Sequence, residues 1–266
     1  AIAARLKAQG ARPHILSRGY RGRLRGPVEV DPAVHTARDV GDEALLLAAA
    51  APTWVARNRA VAAQAAIAAG ADILVLDDGF QNPRLAKDLS LVVIDGGHGV
   101  GNGRTLPAGP LREPMARGLS RADAVVLVGR DRTGIAARIP RRLPLLRARL
   151  VPDPADAALL RGKPVLAFAG LGRPQKFTAS LEEIGAKPAI RRDFPDHHPY
   201  REREIEALLA EARQRDAVLV TTSKDAVRIG RRRDEIHVLR VTLEFERPAE
   251  LDRLLTAVKA DRGKLL

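Results

Sequence analysis

ILVLDDGFQ, residues 73–81, is an apolar run that ends in two carboxylates, and it decides the fold of this chain. Its first four residues predict a strand that is buried in a parallel sheet. Ligands of open α/β sheets bind beyond the carboxyl ends of the strands, where a carboxylate can hold Mg²⁺ against nucleotide phosphates. The pattern is typical of a Walker B strand, so Asp77 is the candidate metal ligand.

Strands and helices alternate on both sides of this run. The predicted elements are helices at residues 1–9, about 42–51 and about 60–69, and strands at 14–16, 73–76, 91–94 and 124–128. This alternation predicts an α/β fold with a doubly wound, mostly parallel sheet. We expect the first strand of that sheet to be missing from the chain.

A second α/β set follows a stretch rich in proline and arginine. It comprises strands at 164–169, 217–221 and 237–245, and helices near 176–184, 202–215 and 249–258. The pattern predicts a nucleotide-binding domain over residues 1–137, a linker with a β-ribbon over 138–163, and a smaller α/β domain over 164–266.

A glycine-rich loop, DGGHGVGNGRTLPAGPLREP at residues 95–114, follows the strand at 91–94. Glycine loses more conformational entropy on folding than any other residue, so such a cluster favours a close approach of backbone to a ligand. Arg112 and Glu113 follow between two prolines, and we interpret them as groups that bind phosphate and metal respectively. A surface ion pair is the alternative.

Two further segments carry groups suited to proton transfer. Asp42 opens a helix directly after Gly41, and a carboxylate beyond a strand can act as general base on a hydroxyl group. An acidic residue at this position would also simply suit the helix dipole. Pro195 and Pro199 bracket Asp196-His197-His198, which we interpret as one catalytic histidine oriented by an acid, because neighbouring histidines point in different directions.

The composition limits the classes of function. A formal net charge of +13 favours an anionic partner, namely nucleic acid, an acidic membrane surface or a phosphorylated substrate. Only 3% of the residues are aromatic, so stacking platforms for nucleic acid are scarce and we predict no nucleic-acid partner. The chain has no cysteine, which excludes disulfides, thiolate zinc sites and a cysteine nucleophile. It has no apolar stretch near the ~20 residues that a membrane-spanning helix needs.

Together these segments resemble the tetraacyldisaccharide 4′-kinase family, membrane-associated P-loop kinases that phosphorylate the lipid A disaccharide precursor. The resemblance runs through nearly the whole chain and in the family's order. It rests on SRGYRG (17–22), VGDEALLLA (40–48), LDDGFQN (76–82), GNG with PAGPLREP (101–114), FPDHHPY (194–200) and TTSKDAVR (221–228). Asn82 and Ser223 stand where the family commonly has histidine and glutamate.

The resemblance implies a P-loop-kinase-like domain, a smaller α/β domain and a two-stranded linker, with ATP and Mg²⁺ as cofactors. The roles it implies are catalysis by Asp42 and His197, Mg²⁺ binding by Asp77 and Glu113, nucleotide binding by Asp78, Gln81 and Arg112, and head-group contacts by Arg18, Tyr20 and Arg59. It also implies an acylated disaccharide phosphate as substrate and a peripheral location on the cytoplasmic face of the bacterial inner membrane. We expect a monomer.

The family's Walker A loop, which ends in Gly-Lys-Ser or Gly-Lys-Thr, does not occur in this sequence. Its amides and lysine cradle the β and γ phosphates, so we expect this chain to be a truncated form with impaired ATP binding. Two alternatives stay open. Another P-loop enzyme would have no reason to carry both the Asp42 and the His197 segments. A non-enzymatic basic protein that docks on an anionic membrane or nucleic acid would leave the glycine-rich loop and the carboxylates unexplained.

Overall fold

The computed structural model describes residues 1–262, and internal contacts divide the chain into two compact units. The first unit consists of Ala1–Gln9, Asp78–Val151 and the described part of Leu243–Leu266. The second unit consists of Gly10–Asp77 and Pro152–Thr242. The domain boundaries predicted at residues 137 and 163 stay a prediction.

Helices and short strands alternate along most of the chain. The helices are α1 (Ile2–Ala8), α2 (Ala37–Val40), α3 (Asp42–Ala48), α4 (Arg59–Ala68), α5 (Met115–Ser120), α6 (Pro154–Leu160), α7 (Pro174–Glu183), α8 (Glu202–Gln214), α9 (Ser223–Ala226) and α10 (Pro248–Arg262). The strands are β1 (Pro13–Ser17), β2 (Val28–Glu29), β3 (Thr53–Val55), β4 (Ile73–Leu76), β5 (Leu91–Asp95), β6 (Ala124–Val128), β7 (Leu145–Pro152), β8 (Pro164–Ala169), β9 (Lys187–Asp193), β10 (Val218–Thr222), β11 (His237–Leu239) and β12 (Val241–Phe245).

The first unit contains a four-stranded sheet in the order β12-β7-β6-β5. Strands β5, β6 and β7 are parallel, with Val126 paired to Val93 on one side and Leu146 on the other. Every residue of β6 is apolar, and its first four residues are buried, as expected for a central strand. Its core also takes in Leu119 from α5.

The second unit contains two four-stranded sheets. In the first, ordered β2-β3-β1-β4, the central strand β1 is buried throughout and runs parallel to both β3 and β4. In the second, ordered β11-β10-β8-β9, all three pairings are parallel. Val227 follows α9, near the second of these sheets. It packs on a core of Val40, Ala44 and Leu45, which lie near the first sheet. The two sheets of this unit therefore share apolar packing.

The mostly parallel α/β architecture predicted from the sequence is confirmed. The strands predicted for one amino-terminal sheet lie in two sheets, however, with β4 at the edge of one and β5 at the edge of the other. The stretch predicted as a linker with a β-ribbon, residues 138–163, holds β7, which pairs in parallel with β6, and the helix α6. The strand predicted at 237–245 is two strands, β11 and β12, in different sheets. Among the described residues, every helix is too short or too polar to serve as a membrane span.

Candidate active site

A sharp corner between α2 and α3 positions Asp42 at the first residue of α3. Gly41 forms the corner with φ +88° and ψ 146°, a region that residues with a side chain rarely adopt. A Cβ on Gly41 would lie 2.5 Å from the carbonyl oxygen of Tyr20, so the corner also needs glycine for space. Asp42 is 4% exposed, and its Oδ1 accepts the backbone N–H of Glu43 at 3.0 Å.

The helix α2 is fixed by a capping box at its start. Asp39 accepts the backbone N–H and the hydroxyl of Thr36, and its other oxygen accepts the Arg23 guanidinium at 2.6 Å. These hydrogen bonds, the Thr36 hydroxyl foremost, hold the pKa of Asp39 well below its ordinary value. The same loop that carries Arg23 donates backbone N–H groups to the carbonyls of Arg38 and Asp39. The Ser17–Gly22 segment is thereby packed against the corner that holds Asp42.

The loop after β9 positions His197 by an unusual backbone conformation. His197 has φ +62°, in the left-handed region, and its backbone N–H donates to the carbonyl oxygen of Gly170 at 3.3 Å. Its side chain is 10% exposed. A histidine held in this region is strained, and such strain is commonly stored at functional sites.

The two residues predicted as catalytic lie in contact. Nδ1 of His197 is 2.8 Å from Oδ2 of Asp42, although 155 positions separate the two residues in the sequence. Both side chains are at least nine-tenths buried, so the contact is shielded from bulk water. An ionised carboxylate can only accept, so this hydrogen bond forms when the proton of the neutral ring is on Nδ1.

Arg228 holds Asp42 from a third direction. Its side chain is 5% exposed; its Nε lies 3.6 Å from Oδ2 of Asp42 and its Nη2 donates to Asp225 at 2.6 Å. Asp225 is fully buried and also accepts the Gly170 N–H and the Tyr200 hydroxyl, each at 2.8 Å. Burial, followed by the Asp225 charge, raises the pKa of Tyr200, so its hydroxyl stays a donor.

Lys224 reaches the opposite nitrogen of the histidine ring. Its Nζ lies 3.3 Å from Nε2 of His197, 3.5 Å from Asp196 and 3.8 Å from Glu43. The Lys224 side chain is 24% exposed. The lysine belongs to the short helix α9, whose N-cap Thr222 accepts the backbone N–H of Asp225. The Thr222 hydroxyl therefore caps α9.

The neighbouring His198 has a different environment. Its Nε2 lies 3.0 Å from the Glu204 carboxylate, and its ring lies 4.8 Å from the Phe194 ring. These contacts tie the start of α8 to the loop. His198 therefore packs as a structural residue, which separates the roles of the two adjacent histidines.

The residues predicted for substrate binding in this unit take different positions. Tyr20 is 60% exposed, with its ring 5.9 Å from that of His197, and Arg18 is exposed. Arg59 is 4% exposed and donates to the carbonyl oxygen of Asp77 at 2.7 Å. The Asp77 carboxylate accepts the Ser17 hydroxyl at 3.1 Å. Tyr20 thus borders the Asp42–His197 pair, whereas Arg59 braces the end of β4.

The first unit brings together the other predicted nucleotide and metal residues. Arg112 pairs with both oxygens of Asp78, at 3.0 and 2.9 Å, and its Nη1 lies 3.4 Å from Oε1 of Gln81. Gln81 donates to Glu113 at 3.2 Å, and Arg121 pairs with both Glu113 oxygens. The Arg121 hydrogen bonds hold the pKa of Glu113 below its ordinary value. Four predicted residues therefore form one polar network with Arg121.

Comparison with known proteins identifies the family of this chain. The sequence model of the tetraacyldisaccharide-1-P 4′-kinases, LpxK, matches residues 1–259. The chain belongs to the tetraacyldisaccharide 4′-kinase family. Similar curated proteins, each called tetraacyldisaccharide 4′-kinase, include one from Rhodospirillum centenum, 57% identical over 99% of this chain and 79% of that protein. Another, from Gluconacetobacter diazotrophicus, is 55% identical over 96% of this chain and 78% of that protein.

The fold is similar to that of a solved kinase of this family. A crystal structure of LpxK from Aquifex aeolicus in complex with ATP superimposes with a TM-score of 0.73 at 25% identity, and covers 97% of this chain and 82% of that one. The P-loop-kinase-like α/β fold class expected from the sequence is thereby confirmed.

A kinase of this family uses Mg²⁺, and only some of the residues predicted to bind the ion have oxygen atoms available for it. Asp77 and the Ser17 hydroxyl offer adjacent oxygen atoms at the end of a strand, which fits a hard cation. Both oxygens of Glu113 are taken by Arg121, so Glu113 would have to exchange that partner before binding a metal. Within residues 1–262, no cluster of three or more histidine or acidic side chains could hold a metal by itself.

Sequence reasoning missed the residues that surround the Asp42–His197 pair. Lys224, Asp225 and Arg228 lie in the TTSKDAVR segment, which contributes to the family resemblance but from which no role for its charged residues was predicted. A signal was present, because Lys224 and Arg228 are four residues apart and such residues lie on one side of a helical turn. Nothing in the sequence indicated what that side would face.

Proposed function

We propose that this chain acts as a tetraacyldisaccharide 4′-kinase, which transfers the γ-phosphoryl group of ATP to the 4′-hydroxyl of tetraacyldisaccharide 1-phosphate in lipid A biosynthesis. The family match and the curated relatives support this activity. The observation that carries it at the level of chemistry is the buried contact of 2.8 Å between Asp42 and His197. It supplies a general base with a positioned partner, which transfer to a hydroxyl group requires.

Asp42 is the general base in this proposal. As the 4′-oxygen of the sugar forms its bond to the γ-phosphorus, the hydroxyl proton moves to the Asp42 carboxylate, and the bond between the γ-phosphorus and the β,γ-bridging oxygen breaks to release ADP. His197 donates Nδ1–H to Oδ2 and fixes the orientation of the carboxylate. A carboxylate held by a neutral donor remains a stronger base than one paired with a full positive charge.

In this proposal the nucleotide is bound by the network of Asp78, Gln81 and Arg112 in the first unit. A guanidinium binds phosphate oxygens through two parallel hydrogen bonds, so Arg112 suits this role once its two Nη atoms exchange Asp78 for the phosphate. In the second unit Asp77 with Ser17 would hold Mg²⁺. Glu113 of the first unit would be able to bind a cation only after releasing Arg121. When bound, the cation neutralises charge on the transferred phosphoryl group.

The acylated disaccharide phosphate is the second substrate. Tyr20, which is exposed next to His197, and Arg18 on the same loop would contact its phosphorylated head group. Arg59 was predicted for the same role, but it is buried and donates to the Asp77 carbonyl, so in this proposal it supports the end of β4 instead. The lipid tails would keep the enzyme at the cytoplasmic face of the inner membrane as a peripheral monomer. The net charge of +13 suits an anionic lipid surface.

The test measures ³²P transfer from ATP to tetraacyldisaccharide 1-phosphate in detergent micelles, with the protein as expressed from its gene. We expect Asp42→Asn to lower kcat by about 10²–10⁴-fold, because a positioned general base contributes about that much. We expect His197→Gln to lower kcat by a smaller factor, because His197 only orients the base. His198→Gln is the matched control and should keep most of the wild-type kcat. Near-normal turnover of Asp42→Asn at saturating substrate would overturn the assignment of the base. Greater damage from the His198 change would mean that the roles of the two histidines are reversed.

A further inference from the structure

The Lys224 ammonium lies close to three polar atoms in the second unit. These are Nε2 of His197 at 3.3 Å, Oδ1 of Asp196 at 3.5 Å and Oε1 of Glu43 at 3.8 Å. An ammonium has three N–H donors and no acceptor, so the lysine is the donor in the contacts with Nε2 and Oδ1, while the contact with Glu43 is an ion pair. Lys224 therefore ties the histidine loop to Glu43, the residue that follows Asp42 in α3.

The contact with Nε2 decides the state of the histidine ring. Lys224 can donate to Nε2 only if that nitrogen has a free lone pair, which means that the ring proton is on Nδ1 and the ring is neutral. The alternative partner of Nε2 is Oδ2 of Asp196, at 3.7 Å, which would instead accept a proton from a charged ring. Since the ammonium is nearer and is itself held by the other oxygen of Asp196, donation to Nε2 is favoured.

We propose that Lys224 is a positioning residue of the kinase, which keeps His197 neutral with its proton on Nδ1 and so presents that proton to Asp42. This inference rests on the proposed function for its consequence, but the state of the ring is a property of the protein alone. The charged groups around the ring are Asp42 and Arg228 on one side and Lys224 and Asp196 on the other.

The chemical consequence concerns the strength of the base. If His197 were an imidazolium, it would form a full ion pair with Asp42, and Arg228 would add a second positive charge 3.6 Å away. Two cations on one carboxylate would make it a poor acceptor for the sugar proton. By donating to Nε2, Lys224 repels a proton from that nitrogen and leaves Asp42 with one cation and one neutral donor.

The first measurement is ¹⁵N NMR of protein labelled in its histidine rings, where nitrogen shifts separate the two tautomers from the charged form. The signal missing from His197→Gln assigns the ring. We expect wild type to show a neutral ring with the proton on Nδ1 at pH 7, and Lys224→Met to show a mixture of tautomers or the charged ring. Lys224→Arg, which keeps a cationic donor, should restore much of the wild-type signature. Lys187→Met, an exposed change at the start of β9, is the matched control and should leave the signal unchanged.

The second measurement is turnover. Lys224→Met should lower kcat by about 10- to 100-fold, a part of the roughly 10²–10⁴-fold that acid–base catalysis supplies, with a smaller change in KM. The proposal is overturned if wild type shows the proton on Nε2 or a charged ring, or if the Lys224→Met spectrum equals that of wild type. Failure of the proposed function looks different: wild type would show the expected ring state and yet transfer no phosphate.

Discussion

Arg228→Met is the substitution that most directly tests how the site is held together. The Arg228 side chain is 5% exposed and lies between two buried carboxylates, Asp225 at 0% and Asp42 at 4% exposure. It also donates to the backbone carbonyls of His198 and Gly170 at 3.2 and 3.3 Å. Methionine keeps much of the volume of the arginine stem but removes every one of these donors.

The expected loss of stability follows from burial. Removing one partner of a buried ion pair costs about 3–5 kcal/mol, because the remaining charge has no compensation. Asp225 would retain the Gly170 N–H and the hydroxyls of Tyr200 and Thr222, which places the cost near the lower end, about 3 kcal/mol. Asp42 would retain His197.

Urea unfolding followed by Trp54 fluorescence measures this loss, since the single tryptophan of the chain lies in β3 of the same unit. Arg232→Met is the matched control. Arg232 also contacts two carboxylates, of Glu206 and Glu235 at 3.2 Å each, but it is 35% exposed, so its loss should cost under about 1 kcal/mol.

A second substitution tests the mechanism of the loss. Asp225→Asn in the Arg228→Met background removes the unpaired charge and should recover about 1 kcal/mol or more, because residues in one network couple by that order. If Arg228→Met costs no more than Arg232→Met, or if Asp225→Asn makes the Arg228 variant still less stable, the guanidinium does not compensate these carboxylates and the reasoning is refuted.

Two further predictions concern the corner that presents Asp42. The pKa of Asp39 is lowered in the folded state, so its contribution to stability is complete above its ordinary pKa near 4 and is lost as the pH falls through the folded-state pKa. Asp39→Asn should therefore lower the urea midpoint at pH 7, and this loss should become smaller below about pH 4. Asp234→Asn, an exposed change, should leave the urea midpoint unchanged at either pH. Gly41→Ala should cost at least about 2 kcal/mol and lower kcat, because it adds backbone strain to a 2.5 Å overlap, while Gly134→Ala, at φ +70° with open space around it, should cost about 1 kcal/mol. Equal losses in the two glycine variants would contradict the role of the corner.

The sequence predicted most of the strands because they are short apolar runs between polar turns. The apolar runs at β4, β6 and β8 predict these strands directly. The helices are predicted in the same way where their apolar residues repeat with helical spacing. Strand β7, LLRARLVP, lies within the β-ribbon predicted for residues 138–163, but its bounds and its place beside β6 were not predicted, because arginines interrupt its apolar residues as in a strand with an exposed face. The division of residues 237–245 between two sheets has a weak local signal, because Arg240 is a charged residue between Leu239 and Val241, and one charged residue is equally compatible with a continuous strand that has an exposed face.

The candidate site was predictable where glycine and proline mark the backbone. Gly41 before Asp42 and the two prolines around His197 identified both segments, and the resemblance to a known family placed them in one reaction. The residues that hold the pair were not predictable in this way, because their partners come from segments far apart in the sequence. Arg228 is 186 positions from Asp42, and no periodicity relates residues at that distance.

The placement of these partners has a consequence for how the base is assembled. Asp42 lies on α3, but both side chains that touch its Oδ2, His197 and Arg228, come from the Pro152–Thr242 part of the second unit. The Gly10–Asp77 part therefore supplies the carboxylate without the donors that orient it. A fragment containing only that part would leave Asp42 to hydrate, since a carboxylate without a buried partner is far more stable in water. The reactive state of the base is thus a property of the assembled unit. Arg228→Met should report the stability of that unit, and Lys224→Met should report how His197 is oriented toward the base.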